Sequence, residues 1–298
     1  MNKNNKILVI TGPTATGKST LAVELAKMFH GEIISADSRQ VYRGLDIGSA
    51  KITREEMDGI PHHLIDIADP RNVFTVAEFK KLADTKIAEI ISQGKFPILC
   101  GGTGMYISAV IDNQEFPEVA PDEKLRSELE HLSTEELFEQ LQNIDPVRSE
   151  SIDRHNPIRL IRAIEIAKAL GSVPVQSDTS SPYDVLIIAL RFPKNELDAK
   201  IAQRVTDRIP ALFTEIRNLL AKGVSSEQLR RFGLEYRYGN DYVTGKILLD
   251  EFIETLTIKT IQFAKRQVTW WKHDKRVHWM NPVSDKQKIL KLVQDFLG

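Results

Sequence analysis

The sequence predicts an α/β protein, with a parallel β-sheet flanked by helices and an inserted all-helical domain. In the first hundred residues, short apolar segments alternate with amphipathic helical patterns. Between residues 112 and 182 the strand-like segments stop and only helical periodicities occur. A continuous apolar run at 185–190, typical of a strand buried on both faces, indicates that the sheet then resumes. We therefore predict a core domain from residues 1–111 and 183–298, and an insertion domain from 112–182.

Composition is that of a soluble globular protein. The chain has 298 residues, of which 42% are hydrophobic and 27% charged. Its formal net charge of −1 gives no global basic field, although a basic face balanced by acidic residues would still allow a nucleic-acid partner. The single cysteine, Cys100, excludes an intramolecular disulfide and a cysteine-rich zinc module, which suits a reducing compartment. The polar N-terminus and the lack of a long apolar run predict neither a signal peptide nor a membrane span.

A glycine-rich segment lies between the first predicted strand, residues 7–10, and the first predicted helix. It has the pattern Gly-x4-Gly-Lys-Ser, in which backbone N–H groups form an anion nest at a helix N-terminus. We predict that Lys18 neutralises a diphosphate or polyphosphate and that the Ser19 hydroxyl ligates Mg²⁺, the one predicted cofactor. A plain glycine-rich turn is the alternative. The predicted anion-binding residues are Gly12, Pro13, Thr14, Ala15, Thr16, Gly17, Lys18, Ser19 and Thr20.

A candidate catalytic carboxylate follows the second predicted strand. The first helix is predicted to end at Gly31, and the strand at 32–36 then leads into Asp37. Open α/β sheets place their chemistry at the carboxyl ends of their strands, which favours a catalytic Asp37, whereas a helix N-cap is the alternative. The polar segment 42–51 is predicted to be a loop bordering this site.

A second glycine-rich turn, residues 101–104, follows the predicted strand at 96–100. That strand comes after a helix that opens with the capping box Thr75-x-x-Glu78. Glycines at the end of a central strand allow a ligand to approach the backbone, and we expect Thr103 to present its hydroxyl in the same crevice as the first loop. A tight strand-to-helix turn would also explain the glycines.

Cationic residues recur in the rest of the chain. Within the insertion, a predicted helix with Pro157 in its first turn and Gly171 just past its end carries Arg159 and Arg162 on one face. Their spacing alone favours a solvated charged stripe. After the sheet resumes, a ridge of Lys200, Arg204 and Arg208 is predicted at i, i+4 and i+8. The stretch 259–276 combines six Lys or Arg residues with two tryptophans, which suits RNA binding or an amphipathic helix whose tryptophans face the core.

Five motifs in this order resemble the tRNA dimethylallyltransferase family of bacterial type: GPTATGKST, DSRQVY, DIGSAK, PHHLIDI and GGTGMY. The resemblance implies a P-loop NTPase-like core whose phosphate loop holds dimethylallyl diphosphate rather than ATP. The family activity would be transfer of the dimethylallyl group to N6 of the adenosine next to the anticodon of a tRNA, with release of diphosphate. We expect a cytoplasmic monomer whose partners are tRNA and dimethylallyl diphosphate.

The resemblance also implies roles for individual residues. Asp37 would be the general base, and Thr103, Lys18 and Arg204 would complete the catalytic set, with Lys200 departing from a family arginine. The insertion would grip the anticodon stem-loop. The implied tRNA-binding residues are Asp37, Ser38, Arg39, Gln40, Thr103, Arg126, Ile158, Arg159, Leu160, Ile161, Arg162, Arg237, Lys265, Arg266, Gln267, Trp270 and Lys272.

This chain departs from the family pattern at Gly233-Leu234-Glu235-Tyr236-Arg237, where family members usually read Gly-Tyr-(Lys/Arg)-(Glu/Gln). The alternatives are a prenyltransferase that acts on free adenine nucleotides, a small-molecule kinase with the same phosphate loop, and a non-catalytic RNA-binding protein. The RNA-binding protein would have no use for a carboxylate beside a phosphate nest.

Overall fold

The computed structural model describes residues 5–174 and 180–298. The chain forms two compact units. One comprises Met1–Asn113 and Ser180–Gly298, and the other comprises Gln114–Thr179. The boundaries expected from the sequence, 112 and 182, differ from this division by only a few residues.

The larger unit is built on a parallel sheet, with strand order β3-β2-β4-β1-β5-β6 in the described chain and parallel pairing throughout. The first strand lies in the interior of the sheet, where its Ile10 pairs with Cys100 on one side and with Ile188 on the other. The predicted parallel sheet is confirmed. The strands are β1 Lys6–Thr11, β2 Gly31–Ser35, β3 His62–His63, β4 Phe96–Cys100, β5 Asp184–Leu190 and β6 Val277–Met280.

Helices flank this sheet and make up the smaller unit. In chain order they are α1 Lys18–Met28, α2 Arg54–Met57, α3 Val76–Ser92, α4 Gly104–Ile111, α5 Glu123–Leu129, α6 Thr134–Ile144, α7 Pro146–Ser151, α8 Pro157–Leu170, α9 Lys194–Ala221, α10 Ser226–Arg231, α11 Leu234–Val243, α12 Leu249–Trp271 and α13 Lys286–Leu297. Helices α5 to α8 belong to the smaller unit, and the others belong to the larger one.

Strand β1 shows how alternation builds the core on both faces of the sheet. Ile7 and Val9 belong to one buried apolar cluster, and Leu8 and Ile10 belong to another. Successive side chains of a strand point to opposite faces, so a continuous apolar run is buried only where both faces are covered. The helices supply that cover.

The end of α1 differs from the prediction. The helix ends at Met28 with Phe29 as its C-cap, His30 takes the left-handed conformation with φ 54°, and Gly31 is already the first residue of β2. The glycine expected to end the helix instead pairs with Phe96 of β4. The chain reverses at His30, a residue type that tolerates this region better than most.

The smaller unit has its own apolar core. Leu129, Leu137, Leu141 and Leu160 are buried in it, contributed by α5, α6 and α8. Helix α8 begins as predicted. Its N-cap Asn156 accepts a hydrogen bond from the backbone N–H of Arg159 at 3.2 Å, which satisfies one of the N–H groups that a helix start leaves without an intrahelical partner.

Across residues 5–174 and 180–298, none of the helices combines the length and apolar character that crossing a bilayer requires.

Candidate active site

The carboxyl ends of the central strands open into a cavity of about 860 Å³ in the larger unit. Because β1, β2 and β4 are parallel, the loops that follow them meet at one edge of the sheet. Four residues predicted to be catalytic, Lys18, Asp37, Thr103 and Arg204, line this cavity. Its wall also includes residues from the segment 48–52, from the start of α11 and from α12.

The loop between β1 and α1 has the backbone of an anion nest. Ala15 and Gly17 have positive φ values of 64° and 80°, and left-handed geometry at a non-glycine residue costs about 1–2 kcal/mol. The carbonyl of Pro13 lies inside the turn, where it accepts hydrogen bonds from the Thr16 hydroxyl and from Lys18 Nζ, each at 2.8 Å. Such strain, retained next to a cavity, is typical of a ligand-binding loop.

Three of the cationic residues that line the cavity, Lys18, Arg204 and Arg208, have lowered pKa values. Burial lowers the pKa of Lys18 to about 8, with Arg204 adding to the shift while Cys100 and Asp37 oppose it. Burial also lowers the pKa of Arg204. The pKa of Arg208 is lowered to about 10 by burial and by the neighbouring positive charge of Arg204. These groups are charged at neutral pH in surroundings that disfavour charge, which is the electrostatic condition for holding an anion.

Gln267 of α12 connects the two glycine-rich loops. Its Oε1 accepts a hydrogen bond from the backbone N–H of Thr14 at 2.9 Å, and its Nε2 donates to the carbonyl of Gly102 at 3.0 Å. The side chain is buried. The N–H of Thr14, which belongs to the predicted diphosphate loop, is therefore already satisfied within the protein. The predicted contact of Gln267 with tRNA stays a prediction.

Asp37 is oriented by the backbone that follows it. Its Oδ1 accepts hydrogen bonds from the N–H groups of Arg39 and Gln40 at 2.8 and 3.4 Å, which makes an Asx turn rather than a helix N-cap, since no helix begins here. The carboxylate is half-buried on the cavity wall. A carboxylate held in this way has a defined direction, which a general base requires.

Thr103 joins the loop after β4 to the loop that carries Asp37. Its Oγ1 accepts a hydrogen bond from the Ser38 N–H at 3.0 Å and donates to Ser38 Oγ at 3.4 Å. The resemblance placed Thr103 in the catalytic set and among the tRNA-binding residues. The structure adds that it also orients the residues next to Asp37.

The two tryptophans of α12 have different surroundings. Trp271 is 2% exposed and packs in the core, as the amphipathic-helix alternative expects. Trp270 is 44% exposed, lines the cavity and donates its Nε1–H to Ser108 Oγ at 3.3 Å. Its ring lies so close to Gly104 that a Cβ there would come within 2.6 Å of it. The remaining basic residues predicted in this region, Lys265, Arg266 and Lys272, are exposed.

Only part of the predicted ridge on α9 lines the cavity. Arg204 and Arg208 line the cavity, but Lys200 is exposed, with its Nζ 4.9 Å from the centre of the Phe192 ring and 3.9 Å from Glu196 Oε1. Lys200 is absent from the residues that line the cavity. The position at which this chain has Lys200 and the family usually has arginine therefore lies outside the cavity wall.

Sequence reasoning missed Glu235, which lines the main cavity and a smaller one shared with Arg204 and Arg208. Burial raises the pKa of its carboxyl group, and the two arginines oppose that shift. The only signal in the sequence was the departure from the family pattern in this segment.

In the smaller unit, two of the predicted tRNA-binding arginines hold a buried carboxylate. Glu165, whose side chain is 1% exposed, accepts hydrogen bonds from Arg126 Nε and Nη2, both at 3.0 Å, and pairs with Arg162. Burial alone would raise the pKa of Glu165, but hydrogen bonds from Arg126, the Asp122 N–H and Arg162 outweigh it and lower the pKa. A solvated stripe therefore does not describe Arg162.

The other predicted tRNA-binding residues of α8 face different ways. Leu160 is fully buried in the core of the smaller unit, and Ile161 is partly buried. Ile158 is 79% exposed and the Arg159 side chain is exposed. In the larger unit, Arg237 is exposed on α11.

Comparison with known proteins identifies the family. The model of the IPP transferase family matches residues 40–274. The chain is 44% identical to a tRNA dimethylallyltransferase of Exiguobacterium sp. over 284 residues, which cover 94% of this chain and 91% of the relative. It is 41% identical to a tRNA dimethylallyltransferase of Anoxybacillus flavithermus over 94% of this chain and 91% of the relative. The chain belongs to the IPP transferase family.

Solved structures of related transferases have the same fold as this chain. The tRNA isopentenylpyrophosphate transferase of Bacillus halodurans is 38% identical, with a TM-score of 0.74 over 98% of this chain and 97% of the other. A eukaryotic dimethylallyltransferase acting on tRNA is 25% identical, with a TM-score of 0.84 over 98% of this chain and 79% of the other. The similarity therefore includes both compact units.

Proposed function

We propose that this protein transfers the dimethylallyl group of dimethylallyl diphosphate to N6 of the adenosine next to the anticodon in tRNA. Membership of the IPP transferase family supports the reaction class. The observation that carries the proposal is the shared cavity. A carboxylate, Asp37, lines the same cavity as the glycine-rich loop with its Lys18. An alkyl transfer to an amine needs both, one to accept a proton and one to stabilise a leaving diphosphate.

On the acceptor side, the nucleophile is weak because the lone pair of N6 is delocalised into the adenine ring. As the N6–C1 bond to the dimethylallyl group forms, the C1–O bond to the diphosphate breaks. The proton lost from N6 goes to the carboxylate of Asp37. The hydrogen bonds from the Arg39 and Gln40 N–H groups hold this carboxylate in one direction. Thr103 supports the same loop through Ser38.

On the donor side, negative charge grows on the diphosphate oxygens as the C–O bond breaks. Lys18, Arg204 and the N–H groups of the loop stabilise that charge, and their burial strengthens the effect. Lys18 Nζ donates a hydrogen bond to the Pro13 carbonyl at 2.8 Å, which holds the ammonium group at the glycine-rich loop. The positive charges on the wall also favour binding of the intact donor.

Mg²⁺ is part of the proposal, with the Ser19 hydroxyl as its protein ligand. Ser19 lies in the first turn of α1 and lines the cavity. Among the described residues, no group of three or more His, Cys, Asp or Glu side chains could hold a metal ion. The Ser19 hydroxyl would be a suitable protein ligand, because Mg²⁺ prefers oxygen ligands. When bound, the ion neutralises charge on the diphosphate.

The acceptor is a base in an RNA loop, and presenting its N6 to Asp37 requires it to leave the stack. Unstacking a base costs a few kcal/mol. Trp270, exposed on the cavity wall, offers an aromatic face for a base, and the exposed Lys265 and Arg266 on the same helix offer charge to phosphates. Ile158 and Arg159 are the corresponding candidates in the smaller unit. We place this reaction in the cytoplasm.

The decisive experiment is incubation of the protein with labelled dimethylallyl diphosphate and unmodified tRNA, followed by nucleoside analysis. We expect label on adenosine N6, dependent on tRNA. Label on AMP but not on tRNA would identify a prenyltransferase of free nucleotides, and phosphate transfer from ATP would identify a kinase. RNA binding without transfer would contradict an enzymatic role.

Asp37→Asn tests the proposed base. Asparagine preserves the Asx turn because its side-chain oxygen still accepts the backbone N–H bonds, so we expect an intact fold and unchanged tRNA affinity. Loss of the base should lower kcat by about 10²–10⁴-fold. Single-turnover kinetics and a tRNA binding titration measure the two effects, with Asp295→Asn on α13 as the matched surface control. Turnover close to that of the wild type would remove Asp37 from this role.

A further inference from the structure

The carboxylate of Glu215, on α9, is bound by four donors from two other parts of the chain. Three consecutive backbone N–H groups, those of Asp46, Ile47 and Gly48, donate to it at 2.8, 2.7 and 3.1 Å. The hydroxyl of Tyr236 donates to Oε1 at 2.7 Å. Glu215 does not line the main cavity. Hydrogen bonds to a carboxylate are stronger than those between neutral groups, so these four bonds hold the Glu215 carboxylate and its donors firmly together.

The segment that Glu215 holds is part of the cavity wall. Gly48, Ser49 and Ala50 line the main cavity, and Ile47 with Gly48 lines the smaller cavity beside it. Gly48 lies against the ring of Tyr236, where a Cβ would come within 2.5 Å of the ring carbon Cζ. The close approach requires glycine at this position. Glu215 and Tyr236 therefore fix the segment by hydrogen bonds and by packing.

The helix that carries Glu215 also carries the cavity arginines. Arg204 and Arg208 line the main cavity two to three turns before Glu215 on α9. Arg208 Nη1 donates to the carbonyl of Ile47 at 3.5 Å, so the segment touches α9 at a second point. Glu215 and Arg208 thus join the segment 46–50 to α9 at two points. A displacement of the segment would therefore also displace this part of the helix.

We propose that Glu215 is a positioning residue for the donor. By holding the segment 46–50 against α9, it sets where Arg204 and Arg208 lie relative to the diphosphate. This inference rests on the proposed function. The physical reason is that displacement of a positioning contact by about 1 Å can cost about 10²-fold in rate, even far from the reacting atoms. A role in stability alone would leave the donor kinetics unchanged.

Glu215→Gln, Glu215→Ala and Tyr236→Phe remove the contacts in graded steps. In the glutamine variant, an amide NH₂ replaces one acceptor oxygen and faces N–H donors. We expect kcat/KM for dimethylallyl diphosphate to fall about tenfold in Glu215→Gln and about a hundredfold in Glu215→Ala. Tyr236→Phe loses one bond, so a fall of roughly twofold to tenfold is expected. KM for tRNA should stay within about twofold of wild type.

Asp207→Asn is the matched control, because Asp207 is an exposed carboxylate on the same helix that contacts Gln203 rather than the segment. We expect wild-type kinetics from it. Hydrogen exchange gives a readout independent of activity. The amides of Asp46, Ile47 and Gly48 should exchange faster in Glu215→Gln, while the amides of β1 keep their protection.

Two results would overturn the inference. One is faster exchange at 46–48 with unchanged donor kinetics, which would make Glu215 an anchor for stability only. The other is unchanged exchange at these amides. If Glu215→Ala fails to fold, the other two variants decide. If the wild-type protein transfers no prenyl group, the proposed function fails, which is distinct from an active wild type with unaffected variants.

Discussion

At the scale of single residues, the cavity is notable for positive charge held in half-buried positions. Burial lowers the pKa of Lys18 to about 8 and that of Arg208 to about 10. Keeping these groups charged at neutral pH therefore lowers the free energy of unfolding. The half-buried carboxylate of Asp37 opposes the shift at Lys18 only in part. An anionic ligand would supply the missing negative charge and relieve this cost.

The pKa of Lys18 leads to a pH prediction. The cation binds the diphosphate, and a bound anion raises the pKa of Lys18, so above pH 8 binding must take up a proton. The Kd of dimethylallyl diphosphate, measured by calorimetry without tRNA, should therefore increase as the pH rises through about 8, by at most tenfold per pH unit.

Lys18→Met separates this effect from other titrations. It should bind the donor more weakly, with a Kd that is nearly constant over the same pH range. Lys291→Met, at an exposed lysine of α13, should keep the wild-type profile. Parallel profiles for the wild type and Lys18→Met would mean that another group controls donor binding.

At the scale of elements, α12 is both a core helix and a wall of the cavity. Phe252, Leu256 and Trp271 bury its inner face. From the same helix, Gln267 reaches both the loop after β4 and the glycine-rich loop, and Trp270 donates a hydrogen bond to Ser108 of α4. The packing of this helix therefore determines the spacing of the two loops.

Gln267→Glu tests that link. A carboxylate can still accept from the Thr14 N–H, but it cannot donate to the Gly102 carbonyl and it adds negative charge beside the donor. Negative charge beside the anionic diphosphate opposes its binding, so the Kd of dimethylallyl diphosphate should rise roughly tenfold to a hundredfold.

Gln262→Glu makes the same charge change at an exposed position of α12 and should leave donor binding unchanged. The comparison also tests the tRNA contact predicted for Gln267. If Gln267→Glu weakened tRNA binding and left the donor Kd unchanged, Gln267 would be an RNA contact rather than a link between loops.

At the scale of the whole molecule, a net charge of −1 means that RNA binding depends on where the cations lie. Arg126 and Arg162 are engaged with Glu165, and Arg230 is paired with Asp241. Arg159 and Arg266 are exposed. Cations already paired with carboxylates release fewer counterions from RNA, so the exposed ones should dominate the salt dependence.

Replacing Arg159 or Arg266 by alanine should therefore reduce the slope of log Kd for tRNA against log salt by about 1 each. Filter binding over a salt series measures the slope. Lys291→Ala, on α13, should leave it unchanged. Equal slopes for the wild type and both arginine variants would exclude these side chains as phosphate contacts.

Some features of this protein could be predicted because they arise from neighbouring residues. The anion nest is made by consecutive residues up to Lys18, the start of α8 by Asn156 and Pro157, and β5 by an unbroken apolar run. Each has a local physical cause, whether a backbone conformation, a cap or burial on both faces. The sequence by itself therefore determined the fold class and the position of the candidate site.

Other features depend on residues that are distant in the chain, and only the tertiary structure decided them. Gln267 bonds to Thr14 across 253 positions, and Glu215 bonds to the N–H of Gly48 across 167. No periodicity predicts the partner of a polar side chain, because many exposed positions would suit the same glutamine or glutamate. Packing selects the one contact that satisfies buried donors and acceptors together, and in this way it placed Glu215 behind the cavity and Lys200 outside it.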